Sequence, residues 1–500
     1  MEKTARKDRT GKTRGLFPVF YLVSLIFYLF AGCEQSPPEN RVVEIDLGFT
    51  PAPRTAPDDA IPIGSAADLK KIGIVTGYPL NRSYKLTQSI TVTGWTPLAQ
   101  NVAFRGAFYG EGRTITIASG TGGLFNEMEE ATVYDLAVSI TATADGGNLG
   151  SIANYAARSW IENCTAQVAL VLNGTGHNAS AGGIAGFMRN GTTVKDCRAY
   201  GSVTLNSGAA DGFMVYAGGI AGYSGTALAG SSESYCRIER SRWTGGGSTV
   251  TVSGGYPYAG GVVGYNYTGA AVARCWAEGT VTASGGNLPY AGGVAGYNSR
   301  VGKKTGTPAT IENCYSTAAV RAVSASKLAL GGGIAGANAA GALVTKCYAT
   351  GTVSVTVSGN GTDDTGGSVG VMTAASAGGI AGAQYVADSF ANSVRNPAIT
   401  ACAALNSGIT GTDSAGAGAV WNIYRIAGAG TSGDDTGVFT GNTAWSGMAV
   451  AHHTGAVASG ADGKDGADCA AATPAQPVFE TMGWDFNSVW RMDGGYPELR

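Results

Sequence analysis

Six copies of one pentamer, Gly-Gly-(Ile/Val)-(Ala/Val)-Gly, begin at Gly182, Gly218, Gly260, Gly292, Gly332 and Gly378, at spacings of 36, 42, 32, 40 and 46 residues. A degenerate copy, Gly150 to Asn154, precedes the first by 32 residues. A unit of this length with two short strands cannot bury its own hydrophobic face, whereas units stacked on one another can. Composition agrees: glycine fills 79 of 500 positions and charged residues make up only 14%, against roughly 25% in an ordinary soluble chain. The glycines have no strict period of three, which excludes collagen. A hydrophobic share of 44%, spread along the chain, excludes wholesale disorder.

A second unit follows most pentamers: Cys197-Arg198-Ala199-Tyr200-Gly201-Ser202-Val203, Cys275-Trp276-Ala277-Glu278-Gly279-Thr280-Val281 and Cys347-Tyr348-Ala349-Thr350-Gly351-Thr352-Val353. In these copies the cysteine lies 15 residues after the first pentamer glycine, and at Cys164 it lies 14 after. Cys314 and Cys402 follow longer insertions. Cys, Ala, Gly and Val share one parity, while Arg198, Trp276, Glu278, Thr280 and Thr350 take the other, as in a half-buried strand with its cysteines inward. The same parity in the pentamer turns Ile220 inward with Gly218 and Gly222, and Tyr223 outward with Gly219 and Ala221. Glycine pairs suit positive φ at sharp corners between sheets. Asn266, Asn298 and Asn338, each two residues past a pentamer, are placed to form a ladder in a stack whose rungs lie about 4.8 Å apart.

The two units in alternation resemble the GLUG repeat of bacterial surface proteins over roughly residues 147–410. The N-terminal flank is similar to the opening of the β-helix in such proteins. Ile63 to Ile74 holds Ser65 and Asp68 as a capping-box variant ahead of Leu69 and Ile72, and strands begin at Tyr84-Lys85-Leu86 and Phe104-Arg105-Gly106. Trp490 to Pro497 is similar to the segment that closes these regions. The resemblance implies an all-β fold: a right-handed parallel β-helix (β-solenoid) with an N-terminal capping helix. The hand agrees with the general preference of parallel crossovers. One or two coils per repeat both fit the spacing.

The first fourteen residues carry six cations against two anions, and Leu16 to Ala31 is apolar and uncharged. That is the layout of a signal peptide, too short for a comfortable bilayer span. It ends in Leu29-Phe30-Ala31-Gly32-Cys33, which resembles the lipobox of bacterial lipoproteins. The resemblance implies a lipidated Cys33, a membrane partner through that anchor, and an outer-membrane or cell-surface location. Phe30 departs from the commoner leucine, and a plain signal anchor or secretory peptide is the alternative. Prolines at 37, 38, 51, 53 and 57 favour an extended spacer. The chain thus divides into a signal peptide (1–32), lipidated cysteine and tether (33–60), cap and opening coils (61–146), repeat (147–420) and C-terminal coils with a cap containing Trp484 and Trp490 (421–500). Without the first fourteen residues the net charge is −6 rather than −2. A mildly acidic chain with no basic run is a poor partner for nucleic acid.

Eight cysteines remain beside Cys33. Those at the repeated strand position read as a column of buried thiols acting as small hydrophobes, with vertical disulfides as the alternative. Cys236 and Cys469 fall outside that column. Aromatic residues follow the pentamer at Phe187, Tyr223, Tyr265 and Tyr297 and precede it at Tyr216, Tyr258 and Tyr290. Parity exposes Tyr223, Tyr265 and Tyr297, the candidate surface-binding aromatics, because rings offer large contact area at low entropic cost. A packing column at a solenoid corner is the alternative.

Signals for catalysis are sparse. His177, His452 and His453 lack metal-ligand spacing, and no nucleophile elbow, phosphate loop or cofactor motif occurs, so no catalytic residue, metal or cofactor is assigned. Asp462, Asp465 and Asp468 do not match a calcium loop and read as an exposed loop. The pairs Asp363/Asp364 and Asp434/Asp435 sit in glycine-rich loops. The expectation is a non-catalytic, lipid-anchored solenoid acting as an adhesion or binding scaffold for glycans, host matrix or neighbouring cells. The alternatives are a carbohydrate-active β-helix enzyme, recognised by two carboxyl groups about 5–9.5 Å apart in one groove, and a spacer presenting the region from Asn422 onward.

Overall fold

Strands one repeat apart pair with each other in parallel throughout the coil. Ala153, Ala185, Ala221, Val263, Ala295, Ala335, Ala381 and Ala427 form one such register. One repeat is therefore one coil of a parallel β-helix. The computed structural model describes residues 49–500 except 175, 209–211, 227–234, 286–287, 301–306, 327, 359–374, 386–395, 417–418 and 430–436. The segment expected as a signal peptide, Cys33, the expected tether up to residue 48 and the pairs Asp363/Asp364 and Asp434/Asp435 lie outside the described residues.

From Thr132 to Ala429 each coil visits four sheets, numbered here in chain order. Sheet 1 takes three-residue strands such as Trp160–Glu162, sheet 2 long ones such as Thr165–Asn173, sheet 3 Ala179–Gly182 and sheet 4 Ala185–Arg189. Among the described residues sheet 1 has twelve strands, sheet 3 eight and sheet 4 nine. The alternating pattern of the second unit builds sheet 2: Ala166, Val168, Leu170 and Leu172 point inward at 3% exposure or less. Ile161, Val194, Ile238, Val272, Ile311, Val344 and Ile399 stack behind sheet 1, all fully buried. Each such aliphatic side chain contributes about 1.5–3 kcal/mol.

The corner from sheet 1 to sheet 2 needs positive φ, and the residues that supply it are not the pentamer glycines. Asp135, Asn163, Asp196, Arg240, Arg274, Asn313, Lys346 and Ala401 hold φ between 45° and 54°. Asn and Asp tolerate this conformation, and the others carry its strain. The residue that follows makes the column Leu136, Cys164, Cys197, Ser241, Cys275, Cys314, Cys347, Cys402, which Asn442 continues after Gly441. Each thiol donates back across the corner to the carbonyl two residues earlier, at 3.1–3.3 Å, and Ser241 Oγ does the same at 2.9 Å. The eight described cysteines are all free and buried. Cys236 lies one residue before a sheet 1 strand, where the pentamer-to-cysteine distance stretches and Ser241 takes the column position.

The pentamer is the corner between sheets 3 and 4, not a continuous strand. Its glycines lack positive φ, which corrects the expectation from the sequence; they are needed for close approach. A Cβ on Gly260 would stand 1.9 Å from the Val263 carbonyl oxygen, and one on Gly261 2.2 Å from that of Gly293 in the next coil. Ile220 and Ala221 are both fully buried there, so parity does not hold through the bend. Past the corner the asparagine ladder forms: Asn266 Nδ2 donates to Asn298 Oδ1 at 2.8 Å and Asn298 Nδ2 to Asn338 Oδ1 at 2.9 Å. Gln384 extends it, accepting from Asn338 at 3.4 Å.

The capping helix α1 (Ala66–Leu69) starts at Ser65, whose Oγ accepts from the Asp68 amide at 3.1 Å, and Leu69 and Ile72 enter the core. Two segments sit elsewhere than the sequence suggests. Residues 52–54, assigned to the free tether, are docked on sheet 1. The Ala52 amide donates to Thr132 Oγ1, and Tyr134 and Tyr109 donate to the carbonyls of Ala52 and Pro53. The C-terminal segment, expected as an end cap, lies on the flank instead. Helix α2 (Gln476–Thr481) and the antiparallel pair Trp490–Asp493 and Tyr496–Leu499 cover the outward faces of Trp276, Tyr315 and Tyr348. Trp484 Nε1 donates to Ala401 O, Trp490 Nε1 to Asn313 Oδ1 and Tyr348 Oη to Pro497 O.

The end of the coil is closed by the loop holding Asp462, Asp465 and Asp468, which the sequence marks as exposed. Asp462 and Asp468 are exposed, whereas Asp465 is 2% exposed and accepts from the amides of Arg425 and Ala458, with His453 Nε2 at 2.8 Å. The Lys464 carbonyl accepts from the Ile426 amide, as a further coil would. Buried amides at the last rung require such partners.

Candidate functional site

The pentamer corner folds the outer face of sheet 3 against the outer face of sheet 4, leaving a groove along the flank. Two columns line it. On sheet 3 the register runs Asn148, Ser180, Tyr216, Tyr258, Tyr290, Leu330. On sheet 4 it runs Glu127, Tyr155, Phe187, Tyr223, Tyr265, Tyr297, Ala337.

In the middle coils tyrosines from both columns fill the groove. Tyr258 stacks on Tyr290 at 4.6 Å and 11°, and Tyr265 meets Tyr297 edge-on at 5.0 Å. Tyr385 donates to the Tyr297 oxygen at 2.8 Å. Tyr265 and Tyr297 are 8% and 5% exposed, and Tyr223 is half-buried. The exposure expected for these candidate aromatics is thus not found at Tyr265 and Tyr297. Parity tells the inside of a strand from its outside, but not whether a second strand folds over that outside. Burial pushes the phenols of Tyr223, Tyr258 and Tyr265 well above their ordinary values.

Toward the N-terminal coils the groove opens, because Asn148 and Ser180 stand where later coils carry tyrosine. Here Tyr155, Phe187 and Tyr223 form a half-buried row of nearly parallel rings, at 5.8 Å and 8°, then 4.2 Å and 6°. Beside Tyr155 lies a cleft of about 570 Å³ lined also by Asn126, Glu127, Thr143, Asp145 and Asn148. Such volumes are typical of small-molecule sites, about 300–1,000 Å³. Its floor is fixed by Asn154, which accepts from the amides of Gly123 and Gly150 and donates to Asn126 Oδ1 at 3.2 Å. Asp145 accepts from Asn173 Nδ2 at 2.9 Å. The cleft was not legible in advance, since its signal is the absence of tyrosine at Asn148 and Ser180.

With the corner and its columns in place, the comparison with known families is direct. The family described as the GLUG motif matches residues 255–282, which span a sheet 3 strand, the corner, a sheet 4 strand, the sheet 1 strand Ala271–Ala273 and the start of sheet 2. The chain carries the GLUG motif. No curated protein matches the sequence. Among solved structures, a candidate immunoglobulin A1 protease from Bacteroides ovatus is similar at 17% identity with a TM-score of 0.41, covering 89% of this chain and 94% of that one. An IgA1 protease is similar at 14% identity with a TM-score of 0.33, covering 78% of this chain and 21% of that one. Among the described residues no cluster of three or more His, Cys, Asp or Glu side chains is placed to hold a metal ion. Among the described residues, the flank of the coil beside Tyr155 thus carries an open, polar, ring-lined cleft.

Proposed function

We propose that the protein is a lipid-anchored scaffold on a bacterial cell surface that binds ligand on the flank of its β-helix without transforming it. The observation that carries this reading is the open stretch of the corner groove, where the ring row from Tyr155 to Tyr223 meets amide and carboxylate side chains. The site stands on strands paired in register with the coils before and after it, and Asn154 bonds its floor, so its side chains are held in place before ligand arrives. Glycans, host matrix and neighbouring cells are the ligand classes, and the Cys33 thiol is the point of anchorage.

Arrays of glycans and matrix proteins probed with the full-length chain test the binding role. Retention on either supports it, and silence on both, with no adhesion to cells, defeats it. Replacing Cys33 by Ser is expected to release the protein from the membrane fraction and to abolish labelling by a fatty-acid probe.

A second reading, a carbohydrate-active enzyme, is favoured by the lining of one cleft by both Glu127 and Asp145. Polysaccharide turnover that disappears in Glu127→Gln would establish it in place of the first.

A further inference from the structure

We propose that the cleft is a sugar site in which a neutral pyranose ring takes the next place in the aromatic column, against the free face of Tyr155. This rests on the scaffold reading and names the ligand class of the same groove.

Because the rings of Tyr155, Phe187 and Tyr223 are nearly parallel and one coil apart, their faces look along the helix axis. A column of this kind ends on a face rather than an edge. At its other end the column continues into Tyr265, but before Tyr155 the register position belongs to Glu127. No ring follows there, and the cleft occupies that space. Across the groove Asn148 leaves the room that Tyr216, Tyr258 and Tyr290 fill in later coils. The cleft is thus a vacancy in a repeating pattern, one coil thick and walled by the pattern's own residues.

Its chemistry selects the occupant. The electron-rich face of Tyr155 attracts groups with positive edges, and the axial C–H bonds of a pyranose present such an edge on a flat, ring-sized surface. Glu127 and Asp145 accept hydrogen bonds from hydroxyls, and the amides of Asn126 and Asn148 both donate and accept. Two carboxylates and no Lys or Arg line the cleft, which disfavours acidic sugars. The Asn154 network holds the wall in place without ligand, so little ordering cost falls on binding.

The test uses the full-length chain and saturation-transfer NMR with methyl pyranosides of the gluco, galacto, manno and N-acetylglucosamine series, and with tetramethylammonium as a cationic probe. At least one pyranoside is expected to bind with its C–H face saturated. Tyr155→Phe keeps the ring and is expected to keep the affinity. Tyr155→Leu removes it and is expected to weaken binding about tenfold or more, equivalent to about 1.4 kcal/mol. Asn148→Tyr repeats the filling of later coils and is expected to abolish binding while circular dichroism and thermal unfolding stay unchanged, which guards against a folding artefact. Pyranoside binding indifferent to Tyr155→Leu and Asn148→Tyr would overturn the proposal. So would binding of tetramethylammonium alone, or silence of every pyranoside. Silence of the sugars with matrix or cell adhesion intact removes this inference only, whereas loss of all binding removes the scaffold reading as well.

Discussion

Ser224 stands one coil before Asn266 in the asparagine ladder, and the serine Oγ and the asparagine Oδ1 are both buried without a hydrogen-bond partner. The ladder therefore stops one rung short. A buried polar atom left unpaired costs about 1–3 kcal/mol, so Ser224→Asn, which places an Nδ2 donor where Asn266 Oδ1 waits, is expected to stabilise the protein by about 1 kcal/mol. Chemical denaturation read against the wild type checks it. Asn298→Ala removes the acceptor of Asn266 and the donor to Asn338 and Leu343, and is expected to move the midpoint the other way by a larger amount.

The pentamer glycines make a sharper demand. With the Gly260 Cβ position 1.9 Å from the Val263 carbonyl oxygen, Gly260→Ala cannot be absorbed by a side-chain rotation, and a loss of about 3 kcal/mol is expected. Gly247→Ala, at a position with nothing within 4 Å and no positive φ, is expected to change stability by less than about 0.5 kcal/mol. Equal losses at both sites would place the pentamer's role elsewhere than in close packing.

These residues also mark what a sequence discloses. The stack, the inward cysteines, the asparagine ladder and the Ser65 cap are legible because each is a local pattern repeated or a known terminus signal. The site is not. Tyr265 and Tyr297 look exposed by alternation, yet the corner that buries them is a relationship between two strands. The flank position of Trp490 depends on contacts with Asn313, far away in the chain, and the open cleft depends on which coils lack a tyrosine. Even the corner glycines are legible in identity but not in reason, since close approach and positive φ select the same residue.

The C-terminal strap supports a prediction of local unfolding. Its aromatic cluster with Trp276, Tyr315 and Tyr348 is separate from the core inside the coil. Trp490→Ala, at a fully buried site, is expected to cost about 3–5 kcal/mol and to free the strap without melting the helix. Limited proteolysis is then expected to cut after Ala475 while far-ultraviolet circular dichroism is retained. Simultaneous loss of the β signal would show the strap to be integral to the coil.

The cysteine column should be chemically silent in the native protein. Burial pushes the Cys236 thiol up to about 11, and those of Cys197, Cys275 and Cys347 well above their usual values; hydrogen bonds from Cys275 and Cys347 hold Cys314 below its own, but that thiol is fully buried, so thiolate within reach of a reagent is scarce. A thiol-specific reagent at pH 8 is expected to find no fast-reacting group in the described region, and eight groups after denaturation. A ninth would report an unmodified Cys33. Cys275→Ser is expected to be mild, because Ser241 already fills that role in the preceding coil.

Alkali should unfold the protein through its tyrosines. Burial raises the phenols of Tyr84 and Tyr134 to about 12, and those of Tyr223, Tyr258, Tyr265 and Tyr385 well above 10. Groups whose folded value lies above the unfolded one favour the fold fully below the unfolded value, near pH 10, and lose that contribution as pH rises beyond it. Stability is therefore expected to be flat with respect to these groups up to about pH 10 and to fall steeply above it. Absorbance at 295 nm is expected to show the exposed tyrosines first and the groove tyrosines only together with the loss of circular dichroism. A smooth titration of all tyrosines near pH 10 with the fold intact would mean that the rings of the groove stand open to water.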